Sequence, residues 1–315
     1  MFEKIHKIDR LAAKEKAGSF LVALFRYVLL ILISFIILFP FISKVSASFM
    51  STNDMNDTSV IFVPREATLD NYKTVIKGIN YLSTALRTLG LSLLCAVPQT
   101  LVCAVTGYAL AKLKGKLGKA GLALVMITIL VPPQIIMVPM YLKFRFFDVF
   151  GVINLLSGNS LNLLNKLDGI LPFIVLSCTG MAFKNGIYIF LLRQFYKGVP
   201  EELEEAAYMD GCNAFRAYFK IIMPISVPMM VTIFMLSFAW QWTDTFYTNL
   251  FLKADRVLAT AIFTMSDFTS GTAGTFYKTT LIQTAVILSL LPLIAMYLVG
   301  QRKLIGGIER SGITG

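Results

Sequence analysis

Six stretches of this chain are apolar and nearly free of charge: residues 27–42, 88–111, 120–142, 169–192, 221–243 and 279–300. Most of them match the roughly 20 residues that a helix needs to cross the hydrocarbon core of a bilayer. Backbone in hydrocarbon has no water to bond, so each such segment has to satisfy its own N–H and C=O groups. The fold class expected is therefore all-α, a polytopic membrane protein with six transmembrane helices. Composition agrees, because 56% of the 315 residues are hydrophobic and only 15% are charged, which is no soluble domain.

The spans differ in detail. Arg26 and Lys44 bracket the first and can snorkel to the headgroups. The small run Ser46-Ala47-Ser48 keeps a cleaved signal peptide as an alternative, and the reading adopted is an uncleaved anchor. Pro98 predicts a kink in the second span. The third carries Pro132, Pro133 and Pro139, breaks that are tolerated where backbone faces protein or a water-lined path. Lys184 and Asn185 interrupt the fourth. A lysine there has to pair, face water or snorkel, and a structural or cavity-lining role is favoured over contact with a substrate.

Charge sets the orientation. The chain has 29 Lys+Arg against 18 Asp+Glu, a formal charge of +11. In a soluble protein that excess would raise nucleic acid as a partner; here no nucleic acid is expected, since basic residues collect in cytosolic loops. Seventeen of the 29 fall in the two tails, the 112–119 turn and the 193–220 segment, and nine fall in the intervening loops. Both termini are thus expected in the cytosol, with a tail at 1–26, a membrane domain at 27–300 and a second tail at 301–315.

Catalysis has little to stand on. His6 is the one histidine, and Cys95, Cys103, Cys178 and Cys212 have no metal-ligand spacing. Cys95 and Cys103 would sit roughly 12 Å apart along one helix, beyond the reach of a disulfide. No G-x-x-x-x-G-K-[ST] phosphate loop occurs, so the chain is not itself an ATPase, and no cofactor or metal is expected on it.

One stretch is acidic and amphipathic, residues 201–228, EELEEAAYMDGCNAFRAYFKIIMPISVP. Pro200 and the carboxylates Glu201, Glu202, Glu204 and Glu205 predict a helix start, because acids in a first turn favour the positive end of the dipole. Leu203, Ala206, Ala207 and Asp210 share one side, which the alanines make shallow enough for another protein to approach. Gly211 allows a bend, and a second short helix follows with Phe215, Tyr218 and Phe219 as an aromatic face. An ordinary cytosolic loop with a well-capped helix is the plainer alternative for the glutamates alone.

Glu205-Ala206-Ala207, Asp210-Gly211, a nine-residue gap and Ile221-x-Met223-Pro224 resemble the EAA signature of ABC importer membrane subunits. Met223 stands where leucine is usual, a volume-conserving change. Further echoes resemble the carbohydrate, maltose-type branch: Pro64 followed by Thr68-Leu69-x-Asn71-Tyr72, then Asp148, Gly151 and Asn154, then Leu192-Arg193-Gln194-Phe195, and Gln301-Arg302-Lys303-Leu304 near the end. The resemblance implies a type I importer permease that binds no nucleotide itself. ATP and Mg would be bound by two separate ATPase subunits. A second, homologous permease would complete a heterodimer in the bacterial cell membrane, and an extracellular solute-binding protein would deliver the substrate.

In that family the loop spanning 197–220 is a coupling helix docked on the ATPase. The residues implied for coupling are Glu201, Glu202, Glu205, Ala206, Ala207, Asp210, Gly211, Phe215 and Pro224. Lys184, Asn185, Trp240, Trp242, Asp244 and Tyr247 are candidates for the substrate path, since aromatic rings stack on sugar faces. Trp and Tyr at span ends also form an interfacial belt, which is the plainer reading. Alternatives are an ABC permease for a non-sugar solute, an ion-gradient-driven transporter, which would want carboxylates deep in the membrane, and a membrane scaffold.

Overall fold

The computed structural model describes residues 2–57, 59–148, 155, 160–182, 184–252, 257–268 and 275–312. Gly151, Asn154, Lys253 and Arg256 lie outside the described residues. Helices α1 (Phe2–Ser48), α2 (Thr52–Asn56) and α3 (Asp70–Gly78) precede α4 (Tyr81–Lys112), α5 (Gly115–Leu130) and α6 (Pro133–Arg145). Then come α7 (Leu171–Thr179), α8 (Asn185–Lys197), α9 (Glu202–Met209), α10 (Ala214–Ala217), α11 (Met223–Thr243), α12 (Phe246–Phe251), α13 (Leu258–Phe268) and α14 (Thr275–Gly312).

The chain is an all-helical membrane protein with, among the described residues, four or five candidate spans rather than six uninterrupted ones. Four helical segments are long and apolar enough to cross, namely Ser19–Ser48, Tyr81–Lys112, Ala214–Thr243 and Phe276–Gln301. The fifth would be α5 with α6, which are bent by 99°. Two consecutive prolines cause that break. A residue before proline is pushed out of the α region. Val131 before Pro132, and Pro132 before Pro133, take ψ 117 and 136. The expected fourth span is broken too: α7 stops at Gly180 with φ 73, and Lys184 sits at φ 67 where α8 begins.

Two compact units divide the chain, residues 1–74 with 272–284, and residues 75–271 with 285–315. In the first, none of the most apolar stretch of Ser19–Ser48 is buried by protein. The end of α1 is tied down by the Thr-Leu-x-Asn-Tyr motif. Asn71 Nδ2 donates to the carbonyls of Ser48 and Met50 at 3.0 and 2.9 Å, and the hydroxyls of Ser48 and Tyr72 meet at 2.7 Å. These bonds serve carbonyls that a helix end leaves without an internal partner.

The second unit is built on α4. Thr88, Ser92, Ala96, Thr100 and Ala104 recur every fourth residue and all are buried. Such a small-residue stripe lets helices approach closely where lipid supplies no hydrophobic drive between them. It faces α11, α8 and α7. The closest approach is at Gly107, where an added methyl carbon would stand 2.9 Å from Leu192 Cβ and 3.1 Å from the Arg193 amide. Cys103, Ala104, Tyr188, Ile189, Leu192, Met229 and Ile233 form the core around this crossing.

Candidate functional site

The acidic stretch folds as a helix held from within the chain. α9 begins at Glu202, with Pro200 just outside it, and carries Glu202, Glu204 and Glu205 in its first turn. It ends in a Schellman motif. Gly211 takes φ +79, its N–H donates to Tyr208 O at 3.0 Å, and the Cys212 N–H donates to Ala207 O at 3.0 Å. Glycine reaches that left-handed conformation without steric cost, which is why the bend falls there.

The face turned to solvent and the face turned inward divide the expected residues. Glu201, Glu202, Glu205, Ala206, Asp210 and Gly211 are exposed, as are Phe215 and Pro224. Ala207 is buried, so the close approach that its small side chain permits is to this chain and not to a partner. The aromatic face is also split: Phe215 and Phe219 are exposed and in contact at 4.6 Å, whereas Tyr218 is buried.

Glu204, which the sequence reading left out of its coupling set, is the anchor. It is only 6% exposed. Its Oε1 lies 2.8 Å from Lys112 Nζ, and Tyr108 OH donates to Oε2 at 3.3 Å. Tyr108 and Lys112 are one turn apart on the last part of α4, so they present one face to α9. Tyr108 in turn packs on Tyr196 and Tyr218, with ring centroids 5.5 and 4.7 Å apart. Arg193 of the Leu-Arg-Gln-Phe motif donates through Nε to Leu110 O at 3.3 Å, serving a carbonyl in the last turn of α4. The four-residue spacing of Tyr108 and Lys112 was the only hint of this joint in the sequence.

The second short helix does not stand apart from the following span. α10 runs through a π-helical turn, Tyr218–Ile222, directly into α11. Pro224 accounts for the turn: it has no N–H for the carbonyl four residues back and its ring crowds that carbonyl, and the Met223 N–H instead bonds Tyr218 O, five residues back.

A second assembly lies at the broken spans. A cavity of about 520 Å³ is lined by the α5–α6 corner, by Lys184 and Asn185 at the start of α8, and by Trp240 and Tyr247. Lys184 Nζ lies 4.2 Å from the centroid of the Trp240 ring. Asn185 is 3% exposed; its Oδ1 accepts from Gln99, whose own oxygen accepts from Ser237. The Asn185 Nδ2 has no hydrogen-bond partner among the described residues. Gln99, Ser237 and the cavity residue Thr128 were not anticipated, since isolated polar residues in an apolar span carry no periodic signal.

Two expected path residues also make bonds within the chain. Trp242 is buried, stacks on Phe238 at 5.6 Å and donates through Nε1 to Ser289 O at 3.0 Å. Asp244 accepts from the Tyr247 and Thr248 amides at 3.1 and 2.9 Å and from the Thr248 hydroxyl at 3.0 Å. It therefore caps α12. The structure brings Lys184, Asn185, Trp240 and Tyr247 to one cavity, places Asp244 with Trp240 and Tyr247 in a smaller pocket that shares those two residues, and leaves Trp242 off both walls.

Comparison with known proteins adds a family and relatives. The sequence model described as "Binding-protein-dependent transport system inner membrane component" matches residues 103–304. The trehalose transport system permease protein of Mycobacterium tuberculosis is 28% identical over 280 residues, covering 88% of this chain and 93% of that protein. The galactooligosaccharides transport system permease protein of Bacillus subtilis is 24% identical over 308 residues, covering 96% and 99%. Among solved structures, a chain of a bacterial ABC transporter involved in import of the acidic polysaccharide alginate superposes with a TM-score of 0.69, at 19% identity, over 90% of this chain and 96% of that one.

Proposed function

Since this chain belongs to the binding-protein-dependent transport system inner membrane components, we propose that it forms half of the translocation path of an ATP-driven carbohydrate importer. The chain is a multi-pass permease component and is not itself catalytic. The observation that carries the importer reading is the family match across the acidic loop. An exposed carboxylate face on α9 is backed by an internal ion pair, so a push on that face reaches α4 directly. Relatives that carry trehalose and galactooligosaccharides support carbohydrate as the cargo, and oligosaccharide as its size.

In this reading α5–α6 and α7–α8 are a third and a fourth span, each broken at the cavity, which gives six spans in all. The charge asymmetry supports tails and docking loop in the cytosol of a bacterial cell. A homologous second permease faces this one, two ATPase subunits bind ATP and Mg below, and an extracellular solute-binding protein loads the path. ATP-driven closure of the ATPases moves α9 through Glu205, Ala206, Asp210, Gly211 and Phe215, and the path changes the side to which it opens. Glu201 and Glu202 extend the acidic face, buried Ala207 packs the loop against this chain, exposed Pro224 sets the π-helical turn that joins the loop to α11, and Lys184, Asn185, Trp240 and Tyr247 face the cargo.

The test is purification from native membranes in mild detergent, with mass spectrometry of the co-purifying chains, followed by uptake assays on the reconstituted complex. A second permease, an ATPase and a binding protein are expected, with uptake of labelled oligosaccharide that requires ATP hydrolysis. A chain that purifies as a homo-oligomer, or uptake driven by an ion gradient without ATP, would overturn the proposal.

A further inference from the structure

We propose that the cavity at Lys184, Asn185 and Trp240 recognises an anionic carbohydrate unit, a uronate or a comparable acidic sugar, and that Lys184 is the residue that reads the charge. This rests on the carbohydrate reading above and adds the chemical class of the sugar.

Three features of the cavity lead there. First, Lys184 lies in a broken span, where a cation is kept only if something compensates it. Among the described residues no carboxylate lies within salt-bridge reach of it; its neighbour is the Trp240 ring, 4.2 Å from Nζ. Second, Trp240 is 44% exposed, so its ring is open to a ligand, and both groups line the same cavity of about 520 Å³. Third, Asn185 is 3% exposed, lines that cavity and offers an Nδ2 donor with no partner among the described residues. A buried donor left without an acceptor is costly, which makes an acceptor brought by a ligand favourable.

The arrangement discriminates by exchange. A sugar ring that stacks on Trp240 takes the surface on which the Lys184 ammonium rests. A neutral sugar would displace the cation from the ring and offer it only hydroxyls. An acidic sugar supplies a carboxylate in the same event, so the ring's attraction for the cation is replaced by a charge-assisted hydrogen bond, the stronger interaction. Asn185 Nδ2 then donates to a second oxygen of the same unit. Lys184 reaches this position because the chain adopts φ 67 there, between the end of α7 and the start of α8. Asp244 forms no ion pair with Lys184, and its carboxylate accepts instead from the Tyr247 and Thr248 amides.

The experiment uses the complete importer in proteoliposomes with its binding protein. ATP-dependent uptake is measured for a panel of oligosaccharides, each presented as the oligouronate and as its carboxyl-reduced neutral counterpart. The wild type is expected to favour the acidic member by roughly tenfold to a hundredfold in uptake efficiency, the range of a charged hydrogen bond. Lys184→Gln should lose that preference, and Lys184→Arg should keep most of it. Complex assembly and ATPase activity, read on each variant, separate a lost preference from a misfolded chain. Preference for the neutral member, equal uptake of both, or a Lys184→Gln variant that retains the acidic preference would overturn the proposal. Uptake of neither member of any pair would instead remove the carbohydrate reading on which it rests.

Discussion

Glu204 at the docking loop and Lys184 at the cavity are both charges held in partly dehydrated surroundings, and the chain compensates them in opposite ways. Glu204 is 6% exposed, with Lys112 Nζ at 2.8 Å and the Tyr108 hydroxyl at 3.3 Å. Lys184 has an aromatic face at 4.2 Å and, among the described residues, no carboxylate in reach. A buried carboxylate with its own cation is complete, and disturbing either partner leaves an uncompensated charge. A cation resting on a ring is only provisionally compensated, and a ligand can outbid the ring. In the proposed reading the contrast separates a joint, which transmits force without changing partners, from a reader, which changes partners when cargo arrives.

Breaking the joint should have the largest effect. Glu204→Lys sets two ammonium groups against each other at the end of α4. Loss of one member of a buried pair costs about 3 kcal/mol, taken at the low end of the range because Lys112 is 28% exposed. The apparent midpoint of thermal unfolding of the purified complex should fall and ATP-driven uptake should be lost. Lys112→Glu should do the same, and the double exchange of the two charges should restore much of both. If the single variants resemble the wild type, the pair is not the joint.

Glu205, next in sequence, sharpens the contrast because it points outward. Glu205→Lys should leave the stability within about 0.5 kcal/mol of the wild type, as expected of a surface change. It should still reduce uptake roughly tenfold or more if the carboxylate meets a cation on the ATPase. Equal loss of stability in the two glutamate variants would erase the distinction between inner and outer faces of α9.

The frame between joint and cavity is α4, and Gly107 reports on how tightly it is held. An added methyl there meets Leu192 Cβ at 2.9 Å and the Arg193 backbone at 3.1 Å, whereas at Gly90 on the same helix it meets nothing within 4 Å. Gly107→Ala should therefore cost about 2 kcal/mol by overpacking. Gly90→Ala should be neutral or stabilise by up to about 1 kcal/mol, because alanine loses less backbone entropy in a helix. Denaturation of the two variants side by side gives the difference, and similar midpoints would mean that the α4–α8 crossing yields.

Much of this was legible in the chain because it depends on local spacing. Apolar run length located the membrane segments, Gly211 marked the bend, and Lys184 with Asn185 marked the interruption of a span. What was not legible depends on partners distant in sequence. Ala207 and Ala206 look alike in a row of residues, yet one is buried and one exposed. Trp240 and Trp242 look like a pair, but two residues along a helix turn the side chain through most of half a circle, so one reaches the cavity and the other stacks on Phe238. The six expected spans became four or five because pairs of prolines and left-handed residues break a helix without lowering its hydropathy.

The polar chain that ends on Asn185 is where the smallest effect is expected. Ser237 donates to Gln99, and Gln99 donates to Asn185, so one side chain of α4 links α11 and α8. Gln99→Leu puts an apolar side chain there and removes both bonds. Hydrogen bonds between membrane helices are worth about 0.6 kcal/mol each on average, so the pair should cost about 1 kcal/mol in stability. The functional consequence should be confined to the reader. With Asn185 no longer held by Gln99, discrimination between acidic and neutral sugars should weaken severalfold while coupling to ATP hydrolysis is kept. A Gln99→Leu variant that uncouples ATP hydrolysis from uptake would show that reader and joint share one mechanical element, and the two charges could no longer be treated as independent parts.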